Sequence, residues 1–342
     1  MIIREVEYPV ISDIIKNKNI KNKTKYELYL DKQFSLIGSG KAALSLILGY
    51  LRNTKFIPDK MYEVVVPGWL GYWVYNQIQE FAFPSRSLSS KTRIVLVYHQ
   101  YGFPQNIDKI MDALSGSNVI IIEDCAHTLF SKYRNKLVGT IGDFSIYSFS
   151  KFLFCYALGG IRYKNKEFKI YLSKQLKKSS SLLVYFLNST KLINDYSNKY
   201  PHLPIKQMAN YLIRMSYSLY GVSFKYSKSS KKLFYNKLDN EIDIRIKRYK
   251  YFLEKTNKTG ICDHLEQSEI CPYIIPINVK KKHQDKVVTK LKNIGIQTGI
   301  YHFDMARFMF EPDFKPCIWV FCHSGITDNF FEKQIDIILD NL

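Results

Sequence analysis

VIIIEDCAHTLF, residues 119–130, and GDFSIYSFSKFLF, residues 142–154, decide the fold of this chain. The first opens as an unbroken β-branched run and ends on two acids. The second carries strand-forming residues up to a single lysine. Runs of this kind, without polar alternation, suit strands buried on both faces of a parallel sheet. Moving outward, EVVVP at 63–67, RIVLVY at 93–98 and GGIRY at 159–163 read as further strands. Apolar-periodic stretches at 71–81 and 106–116 lie between them and read as helices. Strand alternating with helix predicts an α/β architecture.

Beyond residue 165 the pattern changes to long, basic, Tyr- and Leu-rich stretches, read as helices with loops at Pro201 and Gly221. From about 256 short strand and helix patterns return: YIIPINV, KVVTKLKNIGI, IWVFC and FFEKQIDIIL. The expected organisation is a large domain over 1–235, with a basic helical segment from about 165, and a smaller C-terminal α/β domain over 236–342. No internal repeat or low-complexity linker interrupts it.

The 342 residues are 46% hydrophobic and 23% charged, an ordinary soluble composition. No apolar run approaches the length of about 18 residues that a spanning helix needs. MIIREVEYPVISDIIKNK has charges where a signal peptide has an apolar core, so a cytoplasmic protein is expected. The six cysteines show no zinc-like spacing and read as reduced thiols in apolar sites; no metal is expected. The net charge is +20, and residues 161–260 hold 22 Lys/Arg against 6 Asp/Glu. A lysine-rich composition accounts for much of this, and a specific phosphate-reading surface would use more arginine. No specific nucleic acid is therefore expected, while contact with an anionic membrane surface stays open.

Three features line up in an order that makes chemical sense. Gly38-Ser39-Gly40-Lys41 is a small-residue turn entering an apolar helix, where free N–H groups and the positive dipole end suit an anion. The same residues also read as a plain loop and cap. Asp124 ends a buried strand, the edge of an α/β sheet where ligands bind. Such a carboxylate can hold a ring nitrogen protonated, or simply cap the next turn. Lys151 is the single charge within residues 144–161, and a desolvated amine becomes nucleophilic toward an aldehyde. Anion cradle, ring-nitrogen partner and amine are what pyridoxal 5′-phosphate (PLP) requires.

Residues 119–161, with the Glu-Asp-Cys-Ala-His block, Val-Gly-x-x-Gly-Asp, Ser-x-x-Lys and Gly-Gly, resemble the DegT/DnrJ/EryC1/StrS family of PLP-dependent sugar aminotransferases. Likeness extends to GSGKAAL, VVVPGWLGYWVYNQI, VYHQYGFPQNIDKIMDAL, GIQTGIYHF and CHSGITDNFFEKQIDIIL. The resemblance implies the aspartate-aminotransferase fold (PLP-dependent fold type I), with a mostly parallel seven-stranded sheet. It implies that Lys151 carries the cofactor and shuttles the proton, that Asp124 holds the pyridine nitrogen, and that His127 sits beside the ring. It further implies that Ser148, Ser39, Gly40 and Lys41 hold the phosphate and that Trp69 or Tyr72 stacks on the ring. His99 and His323 match positions that line the site in relatives.

The implied activity is transfer of an amino group, from glutamate, to a nucleotide-linked keto sugar in a homodimer. Alternatives are a sugar dehydratase of the same fold, or a non-enzymatic relative that binds an anionic partner through its basic segment. The chain departs from the family in the short Ser148-to-Lys151 spacing, in Leu158-Gly159-Gly160 for the usual Gly-Glu-Gly-Gly, and in Lys41 where threonine is usual. It also lacks the Asn-Tyr-Arg-Met segment with which relatives reach the neighbouring subunit.

Overall fold

The computed structural model describes residues 2–9, 24–200, 204–257, 259–261, 265, 269 and 270–342. Seven strands form the main sheet: β1 (Phe34–Ile37), β2 (Glu63–Val65), β3 (Phe83–Ser85), β4 (Thr92–Tyr98), β5 (Ile120–Cys125), β8 (Phe144–Ser148) and β9 (Gly159–Tyr163). Their order is β1-β9-β8-β5-β4-β2-β3. From β3 to β8 every pairing is parallel, and only β9 runs against its neighbours, so the sheet is mostly parallel. Between β5 and β8 lies a small hairpin of β6 (Lys132–Tyr133) and β7 (Lys136–Leu137).

Helices cover both faces, as the unbroken apolar strands require. On one face Val64, Ile94, Leu96, Ile122 and Ile146 pack on α1 (Gly40–Asn53), with Ile78 of α2 (Tyr72–Gln79) and Phe168 of α4 (Lys166–Lys178). Val65, Val95, Val97 and Ile121, one residue out of phase, meet Ile110 of α3 (Ile107–Ala113) on the other. Alternate strand residues point to opposite faces, so this partition follows from the sequence.

The basic segment forms α4, α5 (Ser181–Lys199) and α6 (Ile205–Ser216), followed by α7 (Lys228–Thr256). The loop expected at Pro201 lies outside the described residues, and a short 3₁₀ turn occupies Leu219–Gly221. The C-terminal part has an antiparallel sheet, β10 (Ile275–Ile277), β12 (Phe314–Val320) and β11 (Tyr301–Asp304), with α8 (Lys281–Asn293) and α9 (Asp328–Leu339). The boundary expected at 235/236 falls inside α7, which runs unbroken through it. Phe234, Leu238 and Ile242 of α7 share one core with Phe149 and with Ile275 and Ile318 of the smaller sheet.

Candidate active site

Tyr98, Asp124 and Ser148 stand at the carboxyl ends of three adjacent parallel strands, on the face that α1 covers. Tyr98 pairs with Asp124 in register, and Asp124 pairs with Ile146, two residues before Ser148. Having the parity of Ile122 and Ile146, the three side chains share one face. The N-terminus of α1 lies directly above. A Cβ on Gly40 would come within 3.2 Å of the Ser148 Cβ and the Tyr147 carbonyl, so a residue without one lets the helix start against the strand end. Gly159 is tighter still: its Cβ would meet the Ser39 carbonyl carbon at 2.3 Å and the Gly40 nitrogen at 2.6 Å.

These elements wall a cavity of about 660 Å³ lined by Ser39, Gly40, Lys41, Asp124, His127, Ser148 and Lys151. The Lys151 Nζ lies 3.1 Å from His127 Nε2, and the Tyr98 hydroxyl lies 2.5 Å from His127 Nδ1. Removal from water lowers the Lys151 amine below the usual lysine range, and Asp124 and Glu5 offset this only in part. Burial likewise pushes His127 well below the ordinary histidine range, with Lys151 adding to the effect, so the ring is neutral. An ammonium has no lone pair, so a charged Lys151 requires Nε2 as acceptor and Nδ1–H as donor to Tyr98. A neutral Lys151 permits the opposite polarity. The trio can therefore shift a proton along two hydrogen bonds. Tyr273 stacks on His127 at 4.3 Å and 10°, which fixes the ring plane.

Asp124 is buried, and its Oδ1 accepts a hydrogen bond from the Ala126 amide at 2.9 Å. Burial raises its carboxyl above the usual range, although Lys151 and the Ala126 amide pull it down. A cation arriving in the cavity would relieve that cost. At the anion end, the first turn of α1 leaves the Gly40 and Lys41 amides without intrahelical partners. The Ser39 hydroxyl is already engaged: it accepts from the Ala42 amide and donates to the Tyr220 carbonyl. Lys41 donates to the Tyr217 carbonyl at 3.3 Å and lies over the Trp73 and Tyr217 rings. Burial and the Lys151 charge lower its amine to about 8.

Of the two stacking candidates, Trp69 lines the cavity, with its ring 5.1 Å from that of His302. Tyr72 is 69% exposed and is not among the lining residues; its neighbour Trp73 is. The two histidines expected to line the site do not reach it. His99 is buried on the far side of its strand, with Nε2 3.2 Å from Glu123 and Nδ1 accepting from the Gln105 amide. Glu123 also accepts from the Gly139, Ile141 and Gly142 amides. Burial works against this carboxylate, but His99 and the amides outweigh it and hold Glu123 below the usual range. The nearby Cys125 completes a cluster of metal-ligand types, yet Glu123 is spent on hydrogen bonds. His323 donates through Nε2 to the Arg4 carbonyl at 2.9 Å and accepts at Nδ1 from the Gly325 amide. Burial lowers it to about 4, so it is a neutral structural tie.

Other walls come from distant segments that the sequence reading did not place here. Arg4 and Glu5 enter from the N-terminal segment, Lys191 and Asn194 from α5, and Tyr217 from the end of α6. Arg4 and Lys191 share Asp195, at 3.0 and 3.1 Å. Tyr98 was within reach of a parity argument, since it is two residues beyond Leu96 and opposite Asp124.

Tyr98, Asp124, His127, Ser148 and Lys151 lie within a segment that other proteins share, whereas Ser39, Gly40 and Lys41 lie before it. Residues 85–178 match the DegT/DnrJ/EryC1/StrS aminotransferase family. The resemblance read from residues 119–161 is thereby borne out over this stretch. The GDP-perosamine synthase of Escherichia coli O157:H7 is 39% identical over 64 residues, 19% of this chain and 18% of that protein. The chain's match thus spans less than a fifth of that relative's length. Among solved structures, the E. coli GDP-4-keto-6-deoxy-D-mannose-3-dehydratase with bound hydrated PLP superposes with a TM-score of 0.65 at 18% identity, covering 92% of this chain and 90% of that one. The aminotransferase TlmJ from Streptoalloteichus hindustanus gives 0.60 at 13% identity, covering 90% and 85%. The expected fold, a large mostly parallel α/β sheet with a smaller C-terminal part, is shared with both.

Proposed function

We propose that this chain is a PLP-dependent aminotransferase, passing an amino group from glutamate to a nucleotide-linked keto sugar as a homodimer. The observation that carries the reading is the cavity that gathers the Lys151 amine, the Asp124 carboxylate and the N-terminus of α1. The residues fit the group. The aldehyde would meet Lys151, the ring nitrogen Asp124, and the phosphate the Gly40 and Lys41 amides, Ser148 and Lys41. PLP supplies an aldehyde and an electron-accepting ring when bound.

The remaining steps belong to the chain. The amine of Lys151, lowered by burial, is a better nucleophile and proton carrier than a solvated lysine. Neutral His127 receives or returns that proton, with Tyr98 completing the path. Asp124, costly to keep charged while alone, gains a partner in a protonated ring nitrogen. Trp69 and Tyr273 shape the walls of the cavity. The positive surface suits a diphosphate-bearing substrate.

Purified protein reconstituted with PLP is expected to show the visible band of lysine-bound cofactor, and Lys151→Ala to abolish it. Colourless wild-type protein after reconstitution would sink the proposal. The likeness to a dehydratase structure supports a second reading on the same fold, and product analysis with and without glutamate separates the two. An amino-sugar product that depends on the donor supports transamination, and a deoxy product supports dehydration.

A further inference from the structure

The segment 165–222 exposes apolar side chains far beyond its share. Nine of the 21 exposed large hydrophobic residues among the described residues fall between 170 and 222. They are ordered. On α5, Leu182, Tyr185, Phe186 and Tyr196 recur at helical spacing, with Leu182 81% exposed. On α6, Met208, Tyr211 and Met215 form a second stripe. α5 and α6 are packed neighbours.

Charge borders this surface. On α4, Lys166, Lys169, Lys174, Lys177 and Lys178 are exposed along with Ile170 and Ser173. These positions follow the three- and four-residue steps of a single helix face. Only Ser179 and Ser180 separate α4 from the start of α5, and Lys178 is four positions before Leu182. The two acids of α4 and α5 do not neutralise it: Asp195 is buried between Arg4 and Lys191, and Glu167 lies near the Tyr50 hydroxyl.

We propose that the α4–α5–α6 face docks on an anionic lipid surface, with the α4 lysines over the headgroups and Leu182, Tyr185 and Phe186 entering the interface. Charge complementarity selects this occupant. A second copy docked about a two-fold axis would set the same lysines against each other. The stripes combine rings (Tyr185, Phe186, Tyr196, Tyr211) with aliphatic Leu182, Met208 and Met215, and lysines beside mixed aromatic and aliphatic side chains are the composition of an interfacial lipid-binding surface. The same α5 and α6 line the cavity through Lys191, Asn194 and Ile213, so docking would set the cavity at a defined height above the bilayer.

The test is co-sedimentation of the full chain with vesicles of phosphatidylcholine alone, or of equal parts phosphatidylcholine and phosphatidylglycerol. Binding is expected only to the second, and to weaken with salt. Lys174→Glu with Lys178→Glu should reduce it roughly tenfold or more, and Leu182→Ser with Phe186→Ser by about as much. Lys286→Glu with Lys290→Glu, the same charge change at the same spacing on α8, should leave it unchanged. No binding to anionic vesicles overturns the proposal, as does an equal loss in the α8 variant. Single-stranded RNA binding without vesicle binding, or self-association lost in Leu182→Ser, would assign the face to another partner.

Discussion

Lys41 holds its charge at a cost set by burial and by the charge of Lys151. Its amine, lowered to about 8 by burial and by Lys151, ordinarily titrates near 10.5. The folded chain therefore releases this proton before the unfolded chain does. The cost of keeping it is full below pH 8, falls as pH rises, and vanishes above the unfolded value. Lys41→Met should accordingly stabilise the cofactor-free protein at pH 7, on the order of 1 kcal/mol once partial exposure is allowed for. The advantage should shrink between pH 8 and 10 in urea titrations of the two proteins. A constant difference across that range would show that the amine is not perturbed. At this scale the sequence was informative where chemistry is solitary: Lys151 is the lone charge of residues 144–161, and Asp124 closes a run of isoleucines. It misled for His99 and His323, because residue type does not say where a ring points. Both spend one nitrogen on a backbone amide and the other on a buried acceptor.

Elements buried on both faces were visible in the sequence, since β2, β4, β5, β8 and β9 carry apolar runs that no other structure explains. β1 and β3 were not. Both lie at the sheet edges and are short: FSLI is mostly buried but only four residues long, and FPS is exposed or half-buried. The cavity walls from Arg4, Lys191 and Tyr217 were hidden for a related reason: only packing brings α5, α6 and the N-terminal segment to the cavity. Gly159 was noticed as part of a Gly-Gly pair, and its role belongs to the meeting of two elements. β9 passes so close to the turn before α1 that a methyl group there would overlap Ser39 and Gly40 backbone atoms. Gly159→Ala should cost about 1–3 kcal/mol through backbone displacement. Because the displaced turn is the proposed anion cradle, PLP affinity should fall further than stability alone explains. Thermal unfolding of the cofactor-free protein and PLP titration together check this. Unchanged values for both would mean the approach is looser than described.

The two sheets behave as one molecule because α7 joins them through an ion pair that water does not reach. Arg245 and Glu241, one helical turn apart, meet at 2.5 Å with both side chains essentially fully buried. Arg245 also donates to the carbonyls of Pro272 and Tyr273, at the entry to the small sheet, and of Phe152, just after Lys151. Glu241 accepts from the Ser324 amide and hydroxyl in the C-terminal part. Burial opposes both charges, yet the pairing prevails: Arg245 is held above its ordinary range and Glu241 below its own. Removing one partner strands the other in the core, which costs about 3–5 kcal/mol in such pairs. Arg245→Met should therefore destabilise by that order, whereas Arg245→Met with Glu241→Leu should recover much of the loss, since neither charge then remains unpaired. If α7 couples the two sheets, Arg245→Met should also split the single unfolding transition, with small-sheet amides exchanging before those of β5 and β8. Hydrogen exchange across a urea series reads this directly. A single transition merely shifted to lower urea would mean that the shared apolar core, rather than the ion pair, holds the sheets together.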